Sequence, residues 1–262
     1  MVASVPWNDV LAAPAPGQHI AHFYSEPDFP ERTVADFVGE GLRRGEAIIV
    51  IATPPHWQGV ARRLGEQRFD LDELERRGQL AVLDAASCLA RLLVNGVPDR
   101  EQFRAVIGGT VATAERAGYS SIRAFGEMVD LLRHTDLNAT IRLEDLWTEF
   151  LAVHPVALLC GYSADVFEPD VYRSLFERVS AAHTHLIPVE DHARLDQAVE
   201  RAYTDVFGTE GDADSLRRVF LAEYGRATVM PDGEAAILAA RAFVPMTTAT
   251  LLERARHHYR LR

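Results

Sequence analysis

The chain has 262 residues, 48% of them hydrophobic and 25% charged, with a net charge of −11 and a pI near 5.4. This is the composition of a globular protein large enough for one domain and an appendage, and its acidic balance argues against direct binding to nucleic acid or to an anionic membrane. All 27 basic residues are arginine, which excludes the phosphate-loop lysine, the Schiff-base lysine and the lysine general base.

No apolar run approaches the roughly 20 residues of a membrane span; Ala47–Ala52 is typical of the longest. No cationic start followed by an apolar core marks a signal peptide, so a cytoplasmic protein is expected. Cys88 and Cys160 both stand in apolar contexts and read as buried free thiols in a reducing compartment.

Residues 1–18 hold Pro6, Pro14, Pro16 and Gly17 among small residues and predict a flexible leader with little regular structure. His19–Tyr24 predicts a first strand. Ser25, Pro27 and Asp28 predict the capped start of a helix through Phe29, Val34, Phe37, Val38 and Leu42. Glu46–Thr53 is a near-continuous apolar run, the pattern of a strand covered on both faces. A helix burying Trp57, Val60 and Leu64 follows Pro54 and Pro55, and a short polar helical turn covers Leu71–Arg77. Gln79–Asp84 is a third strand, followed by an apolar segment with Cys88, Leu89 and Leu92 and by a helix beginning after Pro98 and Asp99.

Ser120–Val129 reads as a buried strand ending at Gly126 and presenting Glu127 and Met128. Arg123 in its middle needs an internal carboxylate, and Glu127 or Asp84 is expected to supply it. A helix through Leu137, Ile141, Trp147 and Phe150 precedes a fifth strand, Val156–Tyr162. A further helix with Val171, Leu175, Phe176 and Val179 follows Pro169.

This alternation predicts an α/β fold, a three-layer parallel sheet with right-handed crossovers, over residues 19–187. From 188 to 262 the pattern is all helical, at 190–207, 214–225, 233–243 and 247–259. The last stretch, Glu253–Arg262, is locally basic and reads as a solvated helix end.

In such a sheet ligands sit at the carboxyl ends of the strands. His22, Tyr24, Thr53, Asp84, Glu127, Met128 and Tyr162 fall there, a mix of aromatic, thioether and polar groups suited to a mostly apolar pocket. Asp84 and Thr53 read first as helix caps. His19 and His22 point to opposite faces of one strand, and His183 with His185 lacks carboxylate or thiolate support, so no metal site is expected. Nor does any cofactor motif or nucleophile elbow stand out, and Cys160 lies where a thiolate is disfavoured.

Two resemblances add to this reading. Gly41–Ala52, Phe69–Leu74 and Gly78–Asp84 look like the RecA/KaiC type of ATPase core, without its machinery: Tyr24-Ser-Glu-Pro-Asp28 stands in place of a phosphate loop, Thr53-Pro-Pro55 in place of catalytic glutamates, and Gly126-Glu127 in place of a metal-binding aspartate. The chain more closely resembles the MEDS family, the methanogen/methylotroph sensory domain named for a dichloromethane-responsive regulator. The likeness rests on His19–Tyr24, Gly45–Thr53, Leu83–Ala85, Arg123–Met128 and Leu158–Tyr162. It implies a bacterial, non-catalytic sensory module that binds a small, hydrocarbon-like ligand and signals to a histidine kinase or transcription regulator, with self-association as one route.

Two other functions fit the residues. The core could be only a scaffold, with the helical tail gripping a partner. Alternatively, the protein could be an enzyme using Glu127 as acid or base.

Overall fold

The computed structural model describes residues 7–24, 29–133, 136–163, 179, 182–187, 192–208, 210–224 and 232–260. The chain divides into two compact units: one comprises Met1–Phe23, Pro27–Ser163 and Arg178–Ile187, the other Tyr24–Glu26, Ala164–Glu177 and Pro188–Arg262.

The first unit is built on a six-stranded sheet. Its strands are β1 (His19–Tyr24), β2 (Ala47–Ala52), β3 (Leu80–Asp84), β6 (Ile122–Gly126), β7 (Val156–Ser163) and β8 (His185–Ile187), in the spatial order β3-β2-β6-β7-β1-β8. The five expected strands are all present. Their registers are parallel where β2 meets β3 and β6 and where β6 meets β7. The sixth strand, β8, was not expected; it extends the edge by pairing parallel to β1, Ala21 against Leu186. Three residues carry too short a pattern to announce a strand, and the pairing across the sheet forms it. A two-stranded ribbon, β4 (Leu93–Val94) with β5 (Val97–Pro98), turns at Asn95 and Gly96, both with positive φ.

Helices cover both faces. On one face α1 (Trp7–Ala12), α2 (Glu31–Arg43), α3 (Pro54–Glu66) and α4 (Leu71–Arg76) enclose a core with Ile20, Ile48, Val50, Ala52, Phe125 and Leu159. Alternate residues of β2 thus face these helices, as the period of two requires. On the other face lie α5 (Ala85–Leu92), α6 (Arg100–Phe103), a π-helical turn (Arg104–Gly108), α7 (Gly109–Arg116), α8 (Met128–Arg133) and α9 (Leu137–Leu151). Phe103, Trp147 and Phe150 pack there edge to face, with centroids 5.0–6.2 Å apart.

Three local outcomes differ from the sequence expectation. Trp7–Ala12, within the stretch read as leader, are helical, and Arg123 bonds the last carbonyls of that helix. Helix α2 starts at Glu31; the Ser25–Asp28 cap lies outside the described residues, as does the helix expected through Val171–Phe176. Arg123 pairs with neither Glu127 nor Asp84. Its partner is Glu46, one residue before β2, because Arg123 stands opposite Ile48 in the neighbouring strand and its long side chain runs back toward the amino end of β2.

From residue 192 onward the described residues of the second unit are helical, as the pattern from 188 predicts. It contains α10 (His192–Phe207), α11 (Glu210–Tyr224), α12 (Asp232–Phe243) and α13 (Pro245–Arg260). Ala235–Ala240 is buried throughout, and α10 contacts each of the other three.

Candidate functional site

The connections after β2 and β6 leave in opposite directions. The chain leaves β2 into α3 on one face of the sheet, and it leaves β6 into α8 on the other. Adjacent parallel strands with diverging connections open a crevice at their carboxyl ends. Thr53 and Glu127, the residues that follow these two strands, meet there.

Glu127 is 2% exposed. One carboxylate oxygen accepts the Thr53 backbone N–H, and the other lies 2.6 Å from His56 Nδ1, whose N–H donates to it. Phe29 lies flat on the His56 ring, with centroids 3.8 Å apart and planes within 4°, and its edge meets Phe125. Pro54 and Pro55 make this possible. They start α3 immediately after β2 and so bring His56, in the first turn, back over the strand ends. The result is a buried carboxylate, an imidazole that is partly exposed, and an aromatic wall. His56 and Phe29 were not singled out from the sequence; a histidine two residues inside a helix and a phenylalanine at an apolar position carry no local mark of function.

The other candidate residues divide among different places. Asp84 caps α5, accepting the Ser87 N–H at 2.8 Å, and hydrogen bonds from the Ser87 hydroxyl and then its backbone hold the Asp84 carboxyl below the usual range. Thr53 stands at the N-cap of α3 but makes no side-chain cap bond; its backbone N–H is what serves Glu127. Met128 is buried as the first residue of α8. Tyr24 is buried at the end of β1. His22 is fully buried, its ring nitrogens have no hydrogen-bond partner among the described residues, and burial pushes its pKa down to about 4.

Tyr162 belongs to a second cluster, on the face of β1 and β7 that carries α9. His19, Cys160, Tyr162 and His183 gather there around Glu144 of α9, all of them buried or nearly so. Tyr162 donates its hydroxyl to Glu144 Oε1 and lies 3.3 Å from His183 Nε2. Cys160 Sγ is 3.4 Å from His19 Nε2. Burial raises the Glu144 carboxyl to about 7 against the opposing pull of the Tyr162 hydrogen bond, and it lowers His19 to about 4. It also lifts the Cys160 thiol and the Tyr162 phenol well above their ordinary values. These charge-disfavouring surroundings leave little scope for Cys160 as a free nucleophile. A surface pocket elsewhere, between α6 and α9, is lined by Phe103, Phe150 and His154 and carries the Arg100–Glu149 ion pair at 2.7 Å.

The first unit is thus a parallel α/β sheet with helices on both faces and a buried carboxylate–imidazole pair at its carboxyl edge, the edge where such folds place ligands. The family model described as MEDS, the methanogen/methylotroph, DcmR sensory domain, matches residues 18–178, more than half of the chain, and the protein belongs to this family of sensory domains. No curated protein matches the chain. No helix among the described residues is long and apolar enough to cross a membrane.

Proposed function

We propose that the protein is a non-catalytic, ligand-responsive sensory module of the cytoplasm. A small, hydrocarbon-like molecule binds at the carboxyl ends of the strands, and its binding alters association with a histidine kinase or a transcription regulator. The RecA/KaiC-like scaffold, in this reading, has kept its crevice and lost its nucleotide chemistry.

The observation that carries the proposal is the Glu127–His56 pair under Phe29. It combines one orienting polar group with an aromatic wall, the composition of sites that hold small, weakly polar ligands.

The test is thermal unfolding of the full chain with dichloromethane, short-chain alcohols and ATP, beside a Glu127→Gln variant. Stabilisation by a small organic molecule, weakened in Glu127→Gln, is expected. Indifference to every small organic molecule, or stabilisation by ATP with measurable hydrolysis, would overturn the reading.

The second reading, a partner-binding helical region, rests on exposed apolar side chains in the second unit: Val219 at 58%, Phe243 at 47% and Met246 at 94%. Under it, truncation of residues 188–262 abolishes partner capture while ligand stabilisation of the remaining chain persists.

A further inference from the structure

We infer that His19, Cys160, His183 and Glu144 form a binding site for one divalent transition-metal ion of the zinc class. The site lies on β1 and β7 and is independent of the crevice between β2 and β6. It draws its donors from positions 19, 144, 160 and 183, which no sequence spacing connects.

The geometry is that of a donor set turned inward. One ligand atom from each of His19, Cys160 and His183 lies within 4.8 Å of the others, and all three residues are buried. Glu144 Oε2 stands 3.5 Å from His19 Nε2 and 3.9 Å from His183 Nε2, and His19 Nε2 is 3.4 Å from Cys160 Sγ. A tetrahedron with bonds of about 2.0–2.3 Å to nitrogen, oxygen and sulfur has edges of about 3.3–3.8 Å. Hydrogen bonds from Tyr162 to Glu144 and between Cys160 and His19, with the His19 and His183 rings 3.8 Å apart, hold the donors together.

The hydrogen-bond partners on the far side of each ring fix the tautomers. His19 Nδ1 lies 3.1 Å from the Ala182 carbonyl and His183 Nδ1 2.7 Å from the Val179 carbonyl. A carbonyl can only accept, so both Nδ1 atoms carry the proton and both Nε2 atoms present a lone pair to the cluster. This is the arrangement by which histidine metal ligands are oriented from behind. Tyr162 orients Glu144 in the same way, donating to Oε1 and leaving Oε2 aimed inward, where it has no hydrogen-bond partner among the described residues.

Counting protons strengthens the case. With Glu144 ionised, two Nε2 lone pairs and two carboxylate oxygens converge on only two donors, the Tyr162 hydroxyl and the Cys160 thiol, so the metal-free cluster must keep a third proton on Glu144. A buried cluster with more lone pairs than protons is costly, and a cation removes the deficit. On binding, the Cys160 S–H bond and the O–H bond of a protonated Glu144 break, both protons go to solvent, and the thiolate sulfur and carboxylate oxygen join the metal; the histidines bind neutral. A mixed sulfur, imidazole and carboxylate set suits zinc and not the hard, oxygen-seeking magnesium or calcium. Four protein donors leave no open position, so the ion is structural: it ties β1, β7, α9 and the segment carrying His183 together.

The test uses the full chain, stripped with chelator and titrated with Co²⁺ and Zn²⁺. One Co²⁺ per chain is expected, with the intense visible bands of four-coordinate cobalt and a thiolate-to-metal charge-transfer band, both displaced by Zn²⁺. Cys160→Ser is expected to abolish the charge-transfer band, and His183→Gln to lower Zn²⁺ affinity about a hundredfold or more. His154→Ala, outside the cluster, should bind as the parent does. Far-ultraviolet circular dichroism separates a lost ligand from a lost fold. Should Cys160→Ser or His183→Gln fail to fold, the parent spectrum still decides. Absence of stoichiometric binding, six-coordinate weak cobalt bands, or a spectrum without thiolate character would each overturn the inference.

Discussion

Arg123, 1% exposed in the middle of β6, is held by Glu46, which precedes the adjacent strand β2. Its Nη2 reaches Glu46 Oε1 at 3.1 Å and the Ala12 carbonyl at 3.1 Å, while Nη1 reaches the carbonyls of Leu11 at 3.0 Å and Phe37 at 3.2 Å. The guanidinium also lies over the Phe37 ring at 5.3 Å. A planar fork with several fixed donors suits this task in a way that an ammonium would not. Arg123→Ala is therefore expected to cost about 3–5 kcal/mol, because it leaves Glu46 and three carbonyls without their donor. Glu46 is partly exposed, so Glu46→Gln should cost less. Urea unfolding of the two variants measures the difference.

Gly41 of α2 stands against this same side chain. A Cβ there would lie 2.7 Å from Ile48 Cδ1 and 2.9 Å from Arg123 Cδ. Alanine is intrinsically better than glycine in a helix by about 1 kcal/mol, yet the overlap should win, and Gly41→Ala is expected to destabilise by about 1–3 kcal/mol. Ile48→Val removes the Cδ1 atom. The double variant should consequently be less destabilised than the sum of the two single changes, a coupling readable in a double-mutant cycle.

His22 makes stability depend on pH. Its pKa is depressed to about 4 in the folded protein by burial, against about 6.5 when unfolded. Below pH 6.5 the unfolded chain takes up a proton that the folded chain refuses, so stability falls as pH falls from about 6.5 to 4 and levels off beneath that. A single group of this kind contributes up to about 3 kcal/mol across the window. His22→Leu removes a buried polar ring that refuses the proton and should raise the melting temperature at pH 5 more than at pH 7.5. His19 and His183 shift in the same direction, so part of the acid slope should persist in metal-free protein.

Tyr203 of α10 donates its hydroxyl to the Ala236 carbonyl of α12 at 2.8 Å, and its ring meets Phe207. Tyr203→Phe keeps the ring and removes the bond. The expected loss is about 1 kcal/mol, because the Ala236 carbonyl, inside α12, keeps its helical N–H donor. Calorimetry should show that loss without a change in helix content.

The periodicities of the chain were enough for much of this architecture. Near-continuous apolar runs at 47–52 and 156–162 announced strands covered on both faces, and the spacing of Val34, Phe37, Val38 and Leu42 announced the helix over them. The place of Glu127 at a strand end was legible as well, because the rule linking carboxyl ends to ligands is topological. What covers Glu127 was not legible, since His56 reaches it only after α3 folds back over the sheet.

Local sequence therefore determined the alternation of strands and helices, the all-helical style after residue 188, and the need of Arg123 for an acidic partner. Tertiary structure alone decided that the partner is Glu46, that β8 joins the edge beside β1, and that His19, Glu144, Cys160 and His183 share one buried space. The physical reason is range. Periodicity and capping act over a few residues and leave a trace in composition, whereas pairing across 77 or 141 positions is set by strand order and helix packing, which no short stretch of chain encodes.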